Sequence, residues 1–482
     1  MKIKKTALLS LVLAFILLLG ACSSSVAPNP DSPSSTPPET QTPGTDAPET
    51  DAPFTGIPTR IEVWTKDRHD LVYMEEKIAE FEAANPDIDI VYEPYTDNYQ
   101  QVIELAATNG QLPDIVCVIQ STVNALKGRG DLVGLNDYLT DEMKAVFTPD
   151  FFIEGVNMLD GQIVSLPNTG NTIRLVVNND LLAKAGFNAP PKSIEEMAMM
   201  AKTVSDKFGN DGIYGFALPL KNPTSGFQRG VVAMPSLSGL PIRDGYNFVT
   251  GKFDWGSYVP AIEVLKTMWN DGSFYPGCES LEIDPLRTAF AMGEIAMYMT
   301  YSHSEYGVYK DQFPMDPSLW SYEKIPSYSG TIEGSQGMSA GTWYGLTANS
   351  KNPDEAWRVM EFLYSVDLLS GYYEGGFGVS VVPAVVAASE QPDSIKQVQY
   401  MGLTETDKMW PLGPQGLTVP TGGQWGDLFF EYMVGRRNDI DAIVNELNAT
   451  YDAAVEIVVS DTGTPAPVYP SFKASDPAGT AN

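Results

Sequence analysis

The sequence predicts an α/β fold, on three observations. Strand and helix patterns alternate through residues 57–460, one strand is a continuous apolar run, and a turn at Asp160-Gly161 separates two such series. Ile61 and Val63 alternate with polar neighbours up to Trp64, the period of a half-buried strand. Leu71, Met74, Ile78 and Phe81 then recur at three- and four-residue spacing before Pro86, as one face of a helix does. Ile88, Ile90 and Tyr92 alternate with acids, and 99–109 reads as a helix closed by Gly110. Ile115-Val116-Cys117-Val118-Ile119 has no polar position, which fits a strand buried on both faces of a parallel sheet. Ligands collect at the carboxyl ends of strands in open sheets of this kind, and 64–69 and 120–124 occupy two such ends.

The second series begins with a strand over 172–178. Ser193 and Glu196 form a capping box ahead of a helix with Ile194, Met197, Ala201, Val204 and Phe208 on one side. Residues 214–218 read as a strand, 257–270 as a helix ending at Gly272, and Asp284-Pro285 as a helix start. Strands over 295–299 and 343–347 follow, and Asn352-Pro353 opens a helix over 354–365.

The chain has 482 residues, enough for two or three domains, with 43% hydrophobic and 19% charged residues, the balance of a globular protein rather than a multi-span membrane protein. Its 61 acids against 30 Lys and Arg give a formal charge of -31, which repels a phosphate backbone, so no nucleic-acid partner is expected. Only His69, His303, Cys22, Cys117 and Cys278 are available for histidine or thiol chemistry, and no G-x-S-x-G elbow, H-E-x-x-H pair or P-loop is present. No catalytic residue and no cofactor is nominated. Asp206 to Gly212 partly resembles a calcium loop, but Phe208 stands at a liganding position and no bidentate Glu follows, so a turn is expected there and no metal. Cys117 lies inside an apolar strand and is expected as a free thiol rather than bridged to Cys278.

Residues 1–21 have a basic start, an apolar middle and a small-residue exit, the pattern of a secretory signal peptide. Leu19-Gly20-Ala21-Cys22 resembles the lipobox of bacterial lipoproteins, in which the cysteine is acylated and becomes the new N-terminus. That resemblance implies a cell-membrane anchor on Cys22 and an extracytoplasmic location. Cleavage would remove three lysines and take the formal charge from -31 to -34. Residues 22–56 are rich in Pro, Ser, Thr and acids and read as a disordered tether; 461–482 read as a loose tail.

Several ordered patterns resemble the family 1 extracellular solute-binding proteins of ABC importers. They are Ile61 to Trp64 with Phe81-Glu82 and Asn85-Pro86-Asp87-Ile88; Gly110-Gln111-Leu112-Pro113-Asp114-Ile115; and Gly161 with Leu166-Pro167. Val176-Val177-Asn178-Asn179-Asp180-Leu181-Leu182, Ala185-Gly186, Gly293-Glu294-Ile295-Ala296-Met297 and Ser350-Lys351-Asn352-Pro353-Asp354-Glu355-Ala356-Trp357 continue the series. The resemblance implies a two-lobed, type II periplasmic-binding-protein-like fold with the ligand enclosed at a hinge of several chain crossings. Carried over, the crossings lie near 166–171, 325–329 and 375–379. Lobe one is then 57–168 with 329–377, and lobe two 169–328 with 378–460. Gly375-Gly376 reads equally as a crossing or as a helix C-cap. The implied partners are a small-molecule solute, probably the sugars that many members bind, and ABC permease subunits, with the receptor itself a monomer.

A sugar site wants aromatic faces for its C-H patches and planar polar groups for its hydroxyls. The aromatic candidates are Trp64, Trp343, Tyr344 and Trp425, each of which reads alternatively as core packing. The polar candidates are Asp67, Gln120 and Asn171, with loop-stabilising hydrogen bonds as the alternative. Where many family members carry a stacking tryptophan in lobe two, this chain has Tyr301 and His303, its natural substitutes. Two rival classes remain at this stage: a glycan-active enzyme using paired carboxylates, and a lipid-anchored adhesin or coat protein. A binding protein for a non-sugar solute is the nearer alternative.

Overall fold

The computed structural model describes residues 54–482 except 69, 96–98, 119–121, 124, 125, 127, 128, 148–150, 155, 303, 304, 342, 421 and 482. The expected sites at Cys22, Gln120 and His303 therefore lie outside the described residues. Among the described residues no helix is long and apolar enough to cross a membrane.

Two separate hydrophobic cores organise the chain. The first forms around a four-stranded sheet in the order Tyr344–Leu346, Ile115–Cys117, Thr59–Thr65, Ile88–Pro94. Its last three strands are parallel and Tyr344–Leu346 runs antiparallel. Ile115, Val116 and Cys117 are fully buried, as a strand covered on both faces must be. Helices Leu71–Ala84, Tyr99–Thr108, Pro353–Leu363 and Val366–Glu374 bury Ile78, Ile103, Met360 and Leu369 in this core.

The second core surrounds a sheet in the order Trp320–Glu323, Ile173–Asn178, Ile295–Tyr301, Tyr214–Ala217. Helix Ile194–Phe208 opens with the expected capping box, in which Ser193 accepts from the Glu196 amide and Glu196 reaches back. Its buried face, Ile194, Met197, Met200, Ala201 and Val204, packs into this core. The Asp160-Gly161 turn joins strands Met158–Leu159 and Gln162–Ile163 with φ of 53° and 76°, both positive as a two-residue hairpin requires. Gly209–Asp211 is a short 3-10 turn closed by Gly212. Cys117 and Cys278 are free thiols in different cores, and burial pushes each up to about 12.

Between the cores the chain runs three times side by side, as a small sheet in the order Ser339–Ala340, Thr169–Asn171, Val379–Ser380. Gly170 is squeezed in the middle: a Cβ there would lie 2.0 Å from Met338 Cε and 2.7 Å from Val381 Cγ1. Ile325 packs in the second core and Met338 in the first, so the second passage falls after 325 and before 338 rather than at 325–329. Val381, Val382 and Val385, expected in lobe two, pack in the first core, and Val398 in the second. Gly375 is the C-cap of helix Val366–Glu374 and Gly376 follows with φ of 75°, so this pair ends a helix.

A buried ion pair joins these passages. Arg174 meets Asp407 bidentately, Nη1 to Oδ1 at 2.9 Å and Nη2 to Oδ2 at 2.6 Å, both side chains almost fully buried. Gln336 Nε2 and the Thr172 hydroxyl also donate to Asp407 Oδ1, at 2.5 and 2.8 Å. Arg174 further donates to the carbonyls of Tyr400 and Gly402, at 2.9 and 3.0 Å.

The segment after Gly463, expected to be loose, is packed. Phe472 is buried and stacks on Phe248 with centroids 5.0 Å apart, and its ring lies 5.0 Å from Trp410. The Tyr469 amide donates to Phe248 O at 2.7 Å, and Ser335 Oγ to Ala474 O. Composition concealed this because Tyr469 and Phe472 sit among Pro, Ala and Ser, yet two aromatic rings suffice to seat the segment on an apolar groove. Phe472→Ala is expected to cost about 3 kcal/mol of stability, read as a lower urea midpoint. An unchanged midpoint would show that the segment is not seated in solution.

Candidate functional site

A cleft of about 890 Å³ opens over the middle crossing strand. Thr169, Gly170 and Asn171 form part of its lining, from the strand that passes between the cores. Lys66 and Asp67 enter from the end of strand Thr59–Thr65, and Tyr372 from helix Val366–Glu374, all elements of the first core. Tyr306 and Lys310 enter from residues 305–312, beside the second core. The cleft thus lies where a parallel sheet ends and the two cores face each other, the place such folds use for ligands.

Its polar groups are ordered by one another. Lys66 Nζ lies 3.1 Å from Asp67 Oδ1, and the Asp67 amide donates to Thr65 Oγ1 at 3.2 Å, which turns the chain at the strand end. Burial lowers the Lys66 pKa, but the Asp67 carboxylate outweighs it and holds the ammonium above its ordinary value, so the pair is ionic. The Tyr372 hydroxyl donates to Asp70 Oδ2 at 3.0 Å. Burial first, and then the carboxylates of Asp70 and Asp67, push that phenol well above its ordinary value. It remains a neutral donor at any physiological pH. With Tyr306 and Phe377, the cleft offers flat rings beside a carboxylate, an ammonium and an amide.

Of the residues expected from the sequence, Asp67 and Asn171 come together in this cleft. The others are placed differently. Trp343 is 1% exposed inside the first core, and its indole N-H donates to Thr169 O at 2.7 Å. It supports the crossing strand from beneath rather than offering a face. Tyr344 is buried beside it, its hydroxyl 2.9 Å from that of Tyr92. Trp64 is half-buried and packs 4.8 Å from Tyr95, tilted by 52°.

Trp425 is 4% exposed and stacks between Trp255, at 5.1 Å, and Phe227, at 5.9 Å. One edge reaches a separate recess of about 230 Å³ lined also by Thr224, Arg243 and Asp244. Tyr301 ends strand Ile295–Tyr301 half-buried, with the Arg229 guanidinium carbon 5.0 Å from its ring centre. Burial raises the Tyr301 phenol above its ordinary value, against the pull of Arg229.

Sequence reasoning missed Lys66, Tyr306, Lys310, Tyr372 and Phe377. Lys66 was within reach, because it adjoins Asp67 at the same strand end. Tyr372 was not: its helix buries both Tyr372 and Tyr373, and nothing in the spacing says which ring meets a cleft.

A fold of two α/β cores with three passages between them and a cleft over the middle passage is that of the two-lobed binding proteins. The chain belongs to the bacterial extracellular solute-binding protein family, whose model matches residues 66–367. It is 26% identical over 298 residues to a protein of Brucella abortus named as a binding protein, a match spanning 61% of this chain and 69% of that one. Among solved structures it is similar to apo RafE of Streptococcus pneumoniae, with TM-score 0.63 and 16% identity over 83% of this chain and all of that one. It is also similar to the sugar-binding protein MalE of Xanthomonas citri, with TM-score 0.64 and 18% identity over 84% of this chain and all of that one. A cyclic alpha-maltosyl-1,6-maltose binding protein of Arthrobacter globiformis aligns with TM-score 0.65 and 16% identity, over 83% of this chain and all of that one. These structures establish the shared fold.

Proposed function

We propose that the protein is a lipid-anchored extracellular receptor that closes on a carbohydrate, most simply an oligosaccharide, and delivers it to the permease of an ABC importer without altering it. The observation that carries this reading is the cleft between the two cores, about 890 Å³ with ionic, amide and aromatic groups side by side. The printed names of structural neighbours agree: one was solved with raffinose and another is a chitin oligosaccharide binding protein. The closing units are the two cores, and the hinge is the crossing strand Thr169–Asn171 with the passages between 325 and 338 and between 385 and 398. A guest that touches both cores only when they approach shifts the population towards the closed form.

Titration calorimetry over a glycan panel, with scattering on the same samples, tests this. Saturable binding with a smaller radius of gyration and no hydrolysis products is expected. Asp67→Ala should weaken that binding by about 1.5–3 kcal/mol, as for a lost charged hydrogen bond. Turnover of any glycan would replace the receptor by an enzyme, and binding confined to non-sugar solutes would replace the carbohydrate. Anchoring through Cys22 has its own test: Cys22→Ser should move the protein from the membrane fraction to the medium.

A further inference from the structure

Beside the main cleft lies a second recess of about 450 Å³, and Tyr306, Lys310 and Asp393 line both. We infer that this recess is a subsite for the terminal units of an elongated neutral glycan whose remainder occupies the main cleft. The inference rests on the carbohydrate reading above and extends it, since nothing in that reading requires the guest to leave the cleft.

The recess is walled by Tyr309, Met315 and Trp320. Those rings are held in place. Trp320 meets Tyr309 edge-on with centroids 5.1 Å apart, and the Tyr309 hydroxyl is 2.5 Å from that of Tyr298 beneath it. Rigid aromatic surface of this kind suits the C-H face of a pyranose, because little side-chain entropy is lost when the guest arrives.

Two further features set the recess apart from an ordinary surface groove. Val308–Gln312 is a π-helix, a rare conformation that appears mostly at functional sites, and it supplies Tyr309 to the recess and Lys310 to the junction. Trp320 is 3% exposed, yet its indole N-H has no acceptor among the described residues, so a buried donor stands ready in the wall. At the junction, Lys310 from the π-helix and Asp393 from helix Asp393–Gln397 bring one cation and one anion. That pairing gives a polyol both a donor and an acceptor and gives no net attraction to a charged guest.

Gln397 lines the recess but not the main cleft and is exposed, so Gln397→Trp narrows the recess without disturbing either core. Calorimetry with maltooligosaccharides and with chitin oligosaccharides of one to six units gives the readout. For the series that binds, wild-type affinity should rise with each added unit up to the length that fills both chambers. Gln397→Trp should weaken the longest bound glycan at least tenfold while leaving the shortest within twofold. Equal affinities of variant and wild type at every length would overturn the subsite and leave the cleft reading intact. A wild-type affinity that does not change with length would do the same. If no glycan of either series binds the wild type while a non-sugar solute does, the carbohydrate reading falls and the subsite with it.

Discussion

Asp407→Asn is expected to destabilise the fold by about 3–5 kcal/mol, the largest effect of any single polar substitution in the molecule. The Arg174 side chain is 1% exposed and cannot turn to water once its carboxylate is gone. Asp407 also accepts from Gln336, from the Thr172 hydroxyl and from both the amide and hydroxyl of Thr404, so one change disturbs three chain passages together. The double variant Arg174→Met/Asp407→Leu should recover only part of the loss. It removes the stranded charge but leaves Gln336, Thr172 and Thr404 short of an acceptor. Urea midpoints for the single and double variants check this, and a single variant within about 0.5 kcal/mol of wild type would remove the pair from any hinge role.

The same pair sets an acid limit. Burial raises the Asp407 pKa, but Arg174 and the donors around it prevail and hold the carboxylate below its ordinary 3.8. A carboxylate depressed by folding contributes stability that is complete above its unfolded value and is lost as pH falls through its folded one. The wild-type midpoint should therefore drop more steeply below about pH 4 than that of Asp407→Asn.

Arg174 and Asp407 also show where sequence reading stops. The strand 172–178 was legible from its apolar run, as were the capping box at Ser193, the turn at Asp160-Gly161 and the order of both sheets' helices, because each is fixed by neighbours within a few residues. The partner of Arg174 stands 233 positions away, and no local pattern nominates it. The site divides the same way. Asp67 was found because it ends a recognisable strand, and Asn171 because a resemblance placed a crossing there. Tyr306 and Lys310 were not, since a π-helix leaves no periodic signature in five residues. Tryptophans misled for a related reason: a large ring suits a stacking platform and a core equally well, and only burial separates the two uses.

Trp343 makes that separation measurable. Its ring fills the first core beneath the crossing strand, so Trp343→Ala should cost about 3–5 kcal/mol of stability through the cavity it leaves. Trp343→Phe keeps most of the volume and loses the bond from the indole N-H to Thr169 O, which should cost about 1 kcal/mol. Neither change removes a wall of the 890 Å³ cleft, since Thr169 lines it and Trp343 does not. Ligand affinity measured where each variant is fully folded should therefore stay within about threefold of wild type, because a ring that touches no guest has no contact to lose. A stacking platform behaves oppositely, with affinity falling by about tenfold or more and stability almost unmoved. The ratio of the two losses, rather than either alone, decides whether this tryptophan holds the crossing strand or holds the guest.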